Sequence, residues 1–168
     1  ANTSIFAGAG STNGTWGTLV TVPPADISNI NNSDGSRMVN GASAEYEFTV
    51  TDASGVARYL GGFHFDSATF RPNSARHWTL EVLPGSSIST GRIAVGSVPS
   101  ITGGVADWQD IDVYLTGLDD YELDANSTVT FELHFSGRVP GSGGHDQGID
   151  NVAITSTTNE PVGPPPVD

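Results

Sequence analysis

Several segments of the chain alternate apolar and polar residues with period two, the repeat of a β-strand whose side chains project to opposite faces. Residues 108–115 read Trp-Gln-Asp-Ile-Asp-Val-Tyr-Leu, so Ile111, Val113 and Leu115 point one way and Trp108, Asp110, Asp112 and Tyr114 the other. Residues 128–136 set Val129, Phe131, Leu133 and Phe135 against Thr130, Glu132, His134 and Ser136. In 45–50, Tyr46, Phe48 and Val50 oppose Glu45, Glu47 and Thr49; in 77–82, Trp78, Leu80 and Val82 oppose His77, Thr79 and Glu81. Residues 58–66 read as Tyr59, Phe63 and Phe65 on one face, with His64 and Asp66 on the other.

Alternation and turn spacing predict strands at 18–22, 44–51, 58–66, 78–83, 91–96, 111–116, 128–136 and 148–155, with more near 4–7 and 38–40. No helix-length window keeps an apolar repeat near 3.6, and 21 Gly and 10 Pro supply the turns, so the chain reads as all-β. One-sided alternation means antiparallel sheets with one wet face. Two of them stacked give a two-sheet antiparallel β-sandwich, of jelly-roll type. A length of 168 residues suits one domain, assigned to 1–158. Residues 159–168, with Pro161 and Pro164-Pro165-Pro166, read as a Pro-rich linker or tail.

Charge narrows the partners. The net charge is −13 and all six basic residues are Arg, which argues against nucleic acid and against an anionic membrane. An acidic surface stays soluble in salty surroundings, so a secreted protein of marine or halotolerant source is expected, with GC-rich codon bias as the other explanation for the missing Lys. There is no Cys, hence no disulfide and no thiolate metal site. The opening Ala-Asn-Thr-Ser carries neither initiator Met nor leader, so the chain is expected to be a mature or excised segment.

The polar side of 108–115 is unusual because it carries aromatics and acids rather than Lys and Thr. Trp108 and Tyr114 offer flat apolar surfaces, and Asp110 and Asp112 offer acceptors, which is what a sugar ring and its hydroxyls require. If the strands neighbour one another, Glu132 and His134 join this platform, with His64, Asp66, His77 and Glu81 as further candidates. A solvated sheet face is the plain alternative. The stretch from Gly143 to Ile154 contains Asp146, Asp150 and Asn151, oxygen donors suited to a structural Ca²⁺ or, equally, to turn capping. Asp66 with Arg71, Arg76 and His77 reads as a salt bridge around a loop, or as a reader of acidic sugars. Asp110 and Asp112 have the crude spacing of a glycosidase pair. No supporting signature is present: no Glu-x-Asp-x-x-Glu strand, no lyase Arg/Gln-x-His/Tyr set, no Gly-x-Ser-x-Gly elbow and no phosphate loop. The chain is therefore read as not an enzyme.

Four elements in order resemble a known family: Phe63-x-Phe65-Asp66…Arg71…Trp78-x-Leu80-x-Val82, then Asp112-Val113-x-Leu115-x-Gly117-Leu118, then Val129-x-Phe131-x-Leu133…Gly137, and the closing Gly148-Ile149-Asp150-Asn151-Val152-x-Ile154. They are similar to β-sandwich carbohydrate-binding modules of families 4, 6 and 22, and to jelly-roll modules of PEP-CTERM-type bacterial exoproteins. The resemblance covers most of residues 4–157, and its most specific part is the closing Ile-Asp-Asn-Val. It implies a structural Ca²⁺ at Asp150 and sugar binding on the sheet face or at loop tips. The expected function is a monomeric, non-catalytic module that binds an extracellular polysaccharide and is tethered to a degrading enzyme. The alternatives are an adhesion β-sandwich contacting protein partners, or a small glycan-active enzyme.

Overall fold

The period-two segments form strands, and the strands form two sheets that share one apolar interior. The computed structural model describes residues 3–5, 28–30, 44–69, 74–97, 109–137 and 147–160. The predicted strands at 18–22 and 38–40, and the tail beyond Glu160, lie outside the described residues. The strands are β1 (Thr3–Ile5), β2 (Ser28–Ile30), β3 (Ala44–Thr51), β4 (Arg58–Thr69), β5 (His77–Val82), β6 (Gly91–Ser97), β7 (Gln109–Tyr114), β8 (Glu122–Leu123), β9 (Thr128–Ser136) and β10 (Gln147–Thr157). All pairings among them are antiparallel.

Sheet A runs β1-β2-β10-β4-β7, with β8 also on β4, and sheet B runs β3-β9-β5-β6. The pairing is nested along the chain: β2 with β10, β3 with β9, β4 with β7, β5 with β6. That nesting, with the pairs dealt alternately into two sheets, is the jelly roll. The residues read as apolar in β9 are the centre of the core, Val129, Phe131, Leu133 and Phe135 all being buried. Rings close the gap between sheets: Phe63 of β4 lies 5.1 Å from Phe131 and 5.6 Å from Phe48, and Phe65 meets Trp78 edge-on at 5.4 Å. Each such ring contributes about 1.5–3 kcal/mol by leaving water.

Strict alternation fails at two places in sheet A. The β4–β10 register passes from Gly62↔Thr155 to Leu60↔Ser156, leaving Gly61 as an extra residue. This bulge turns Leu60 into the core, while Tyr59 pairs with Tyr121 instead of sharing the Phe63 face as alternation predicts. On β10 the register slips between Asp150 and Ala153, which lets both Ile149 and Ile154 face the core although they are an odd number of positions, five, apart.

Candidate functional site

The sequence-predicted site residues fall on two opposite surfaces. β7 belongs to sheet A and β9 to sheet B, so their polar sides look away from each other across the core. Glu132, His134 and His77 therefore do not join the Tyr114 face, because non-neighbouring strands in separate sheets cannot share a platform. Trp108 and Asp146 lie outside the described residues.

On sheet A the register builds a grid of three rungs across β7, β4 and β10. Tyr114 pairs with Gly62 and Gly62 with Thr155; Asp112 with His64 and His64 with Ala153; Asp110 with Asp66 and Asp66 with Asp150. Asp110, Asp112 and Tyr114 are exposed, and Tyr114 is 72% open, more than any other large apolar side chain described. Ile111, Val113 and Leu115 face inward as alternation requires. Tyr114 stands on edge strand β7, in register with Gly62 of β4.

His64 fixes this surface. Its Nδ1 lies 2.6 Å from Asp112 Oδ1, and its Nε2 lies 3.2 Å from Thr155 Oγ1. With the proton on Nδ1 donated to the carboxylate, Nε2 accepts from the threonine hydroxyl. The imidazole thus bridges three strands while remaining only 6% exposed. Gly62 makes room for it: a Cβ there would sit 2.8 Å from His64 Nε2 and 3.2 Å from the Val113 carbonyl oxygen. The consequence is a held Asp112 whose side chain is still 27% open to solvent. The Asp-His-Thr order resembles a nucleophile relay, but the imidazole is sealed within the sheet rather than set in a cleft, and its evident role is to brace β7.

The metal candidates occupy the third rung. Asp150 is in register with Asp66, which is 2% exposed, and Asp66 with Asp110. Asn151 follows at the β10 bulge, immediately after the residues of β10 that pair with β2. Of the loop candidates, Arg71 lies outside the described residues, and the Arg76 amide donates to the Ser136 carbonyl.

On sheet B the polar face is a ladder of acids. Glu45 pairs with His134 and His134 with Thr79; Glu47 pairs with Glu132 and Glu132 with Glu81. Partial burial, then the Glu45 carboxylate, push the Glu132 carboxyl above its ordinary range, with His134 acting in the opposite sense. Arg92 approaches Glu81 at 3.6 Å from the edge strand. His77 is exposed at one end of the same face. Glu45 and Gly62 were legible only as a polar-face residue and a strand glycine; their partners come from register, which local sequence does not encode.

Loop ends offer one further hollow, about 340 Å³, lined by Asp52, Ser54, Arg58 and apolar neighbours. Its carboxylate is already engaged, accepting from Ser54 N, Ser54 Oγ and Asn126 N at 3.0, 2.6 and 3.2 Å.

No protein-family profile matches the chain, and no curated protein sequence matches it. Solved structures do. A non-crystalline-cellulose-specific carbohydrate-binding module of family 28 overlaps 77% of this chain and 74% of its own, at 9% identity and a TM-score of 0.46. A family 4 carbohydrate-binding module overlaps 82% and 87%, at 14% identity and a TM-score of 0.37. The VP2 subviral particle protein of infectious bursal disease virus overlaps 80% of this chain and 33% of its own, at 8% identity and a TM-score of 0.35. Sugar-binding and capsid proteins are both among these likenesses, which by themselves separate no function.

Proposed function

We propose that this chain is a non-catalytic carbohydrate-binding module whose sugar site is the outer face of sheet A. The observation that carries the reading is Tyr114, 72% exposed, two residues along β7 from a carboxylate that His64 holds in place. A ring this open, with acceptors beside it, offers the flat apolar surface and polar tip that an amphipathic partner requires. Tyr114 stacks on a sugar ring; Asp112 and Asp110, spaced along the same strand, accept hydroxyl hydrogen bonds. Alternation in the sequence assigns Trp108 to the same polar side as a second candidate ring. One ring and a few wet contacts give modest net affinity, in the micromolar range near −8 kcal/mol.

The polymer is extracellular and neutral or mildly charged, since a −13 chain repels sulfated glycans. The module works tethered through its Pro-rich tail to a polysaccharide-degrading enzyme, which raises the local enzyme concentration on the substrate. A structural Ca²⁺ ion is proposed at the Asp66–Asp150 rung, where buried Asp66 is in register with a second acid and carboxylate oxygens are the ligands such an ion takes.

Affinity electrophoresis against a panel of polysaccharides tests the reading. Wild type is retarded by at least one polymer, and Tyr114→Ala loses about tenfold in affinity, the value of about 50 Å² of ring at 25–30 cal/mol per Å². Equal retardation of wild type and Tyr114→Ala by every polymer refutes the sheet A site. No retardation at all, with capture of a protein ligand instead, favours adhesion.

A further inference from the structure

The geometry points to a second, unrelated ligand site: a divalent metal ion of the zinc class, bound on the outer face of sheet B by Glu45, Glu132 and His134. One ligand atom from each of the three residues lies within 4.8 Å of the others. A tetrahedral zinc ion with bonds of about 2.0–2.1 Å spaces its ligands about 3.4 Å apart. Closing that difference needs only small rotations, and Glu45 sits on the edge strand β3, exposed and free to make them.

The second observation is His134 itself. Its Nε2 is sealed from solvent and has no hydrogen-bond partner. A buried imidazole nitrogen with nothing to bond is costly and uncommon. Coordination through that nitrogen satisfies it. The surroundings supply the charge a cation needs, because Glu47, Glu132 and Glu81 occupy successive strands on one rung beside the Glu45–His134 pair. Like charges directly opposite each other destabilise a sheet unless something compensates. Arg92 meets only the outermost of these acids.

The donor set selects the metal. One imidazole nitrogen and two carboxylates suit zinc and its neighbours, whereas Ca²⁺ and Mg²⁺ prefer all-oxygen shells of six or more. Three protein ligands leave one tetrahedral position for water or an oxygen donor from outside. Bound there, the ion pins edge strand β3 to β9 and neutralises part of the acid ladder. The site shares no residue with the sheet A sugar platform, so its fate is independent of that reading.

Tag-free full-length protein is melted with ZnCl₂ alone after chelator treatment, and zinc binding is titrated calorimetrically. Wild type is expected to bind one zinc at this site, and a hundredfold excess over Kd raises Tm by about 5–10 °C. Glu45→Gln and Glu132→Gln, both isosteric, remove that rise and that binding event. Glu132→Gln is expected to melt no lower than wild type in metal-free buffer, because it takes one charge out of a row of acids, so loss of the zinc response is not loss of fold. CaCl₂ added to the two variants acts as it does on wild type. The proposal is overturned if wild type shows no zinc response, or if both variants keep the full response.

Discussion

Replacing Gly62 by alanine places a methyl carbon 2.8 Å from His64 Nε2 and 3.0 Å from its Cε1. Side-chain carbons are not found that close, so the imidazole must shift away from its present position. The Val113 carbonyl oxygen, at 3.2 Å, needs to yield only a few tenths of an ångström. What is lost is the pair of bonds His64 makes, to Asp112 at 2.6 Å and to Thr155 at 3.2 Å. A bond to a charged partner is worth about 1.5–3 kcal/mol and a neutral one about 0.5–1.5 kcal/mol; with Asp112 partly in water the lower ends apply. Alanine returns about 0.5–1 kcal/mol by restricting the unfolded chain. The net is a destabilisation of about 1.5 kcal/mol, or about 3–6 °C in Tm for a domain of this size. Urea unfolding of Gly62→Ala, His64→Ala and the double variant measures it as a cycle. Once His64 is already alanine, the added methyl should cost almost nothing, giving a coupling of about 1–2 kcal/mol. Additive losses would show that the glycine does not serve the histidine, and the bracing of Asp112 would fail with it.

Three further outcomes follow from other parts of the molecule. Tyr46 carries a buried hydroxyl with no partner, and burial pushes its phenol well above the ordinary value. Tyr46→Phe is therefore expected to stabilise by about 1 kcal/mol, read as a higher urea midpoint at unchanged slope. Asp52 is held below the usual carboxylate range, first by the Ser54 hydroxyl and then by the Ser54 amide. A depressed folded value gives stability that is present above the unfolded pKa near 3.9 and lost as pH falls from there through the lower folded value, so Asp52→Asn should flatten that part of the acid limb in urea midpoints taken from about pH 6 down to about pH 2. EDTA is expected to lower Tm, with Ca²⁺ restoring it and Asp66→Asn abolishing the difference; an identical melt with and without chelator removes the calcium proposal.

Much of this fold was readable because its strands keep clean alternation. Bounds for β3 and β9 agree with the turn and period signals, and Val129, Phe131, Leu133 and Phe135 are core as the pattern requires. Tyr59 was misplaced because one extra residue, Gly61, flips the face of everything before it, and a bulge leaves no periodic trace in so short a run. β2 and β8 are three and two residues long, too short to alternate at all. The site was half legible. Period two put Asp110, Asp112 and Tyr114 on one surface correctly, since that relation is local. Whether Glu132 and His134 share that surface depends on which strands are neighbours, and the nested pairing that decides it is set by contacts far apart in sequence. The metal-ligating partner of His134, Glu45, is hidden for the same reason: it lies opposite in register and remote along the chain.

Nested pairing also governs when the molecule can come into being. Ile30 pairs early with Thr3 but takes its second ladder partner from Gln147, and Val50 takes its partner from Val129, so these early strands wait for the latest to complete their ladders. Closing such wide loops costs entropy before any contact repays it, and topologies of this kind fold in milliseconds to seconds rather than microseconds. Until β9 and β10 are in place, β3 and much of β4 lack the neighbours that complete their sheets.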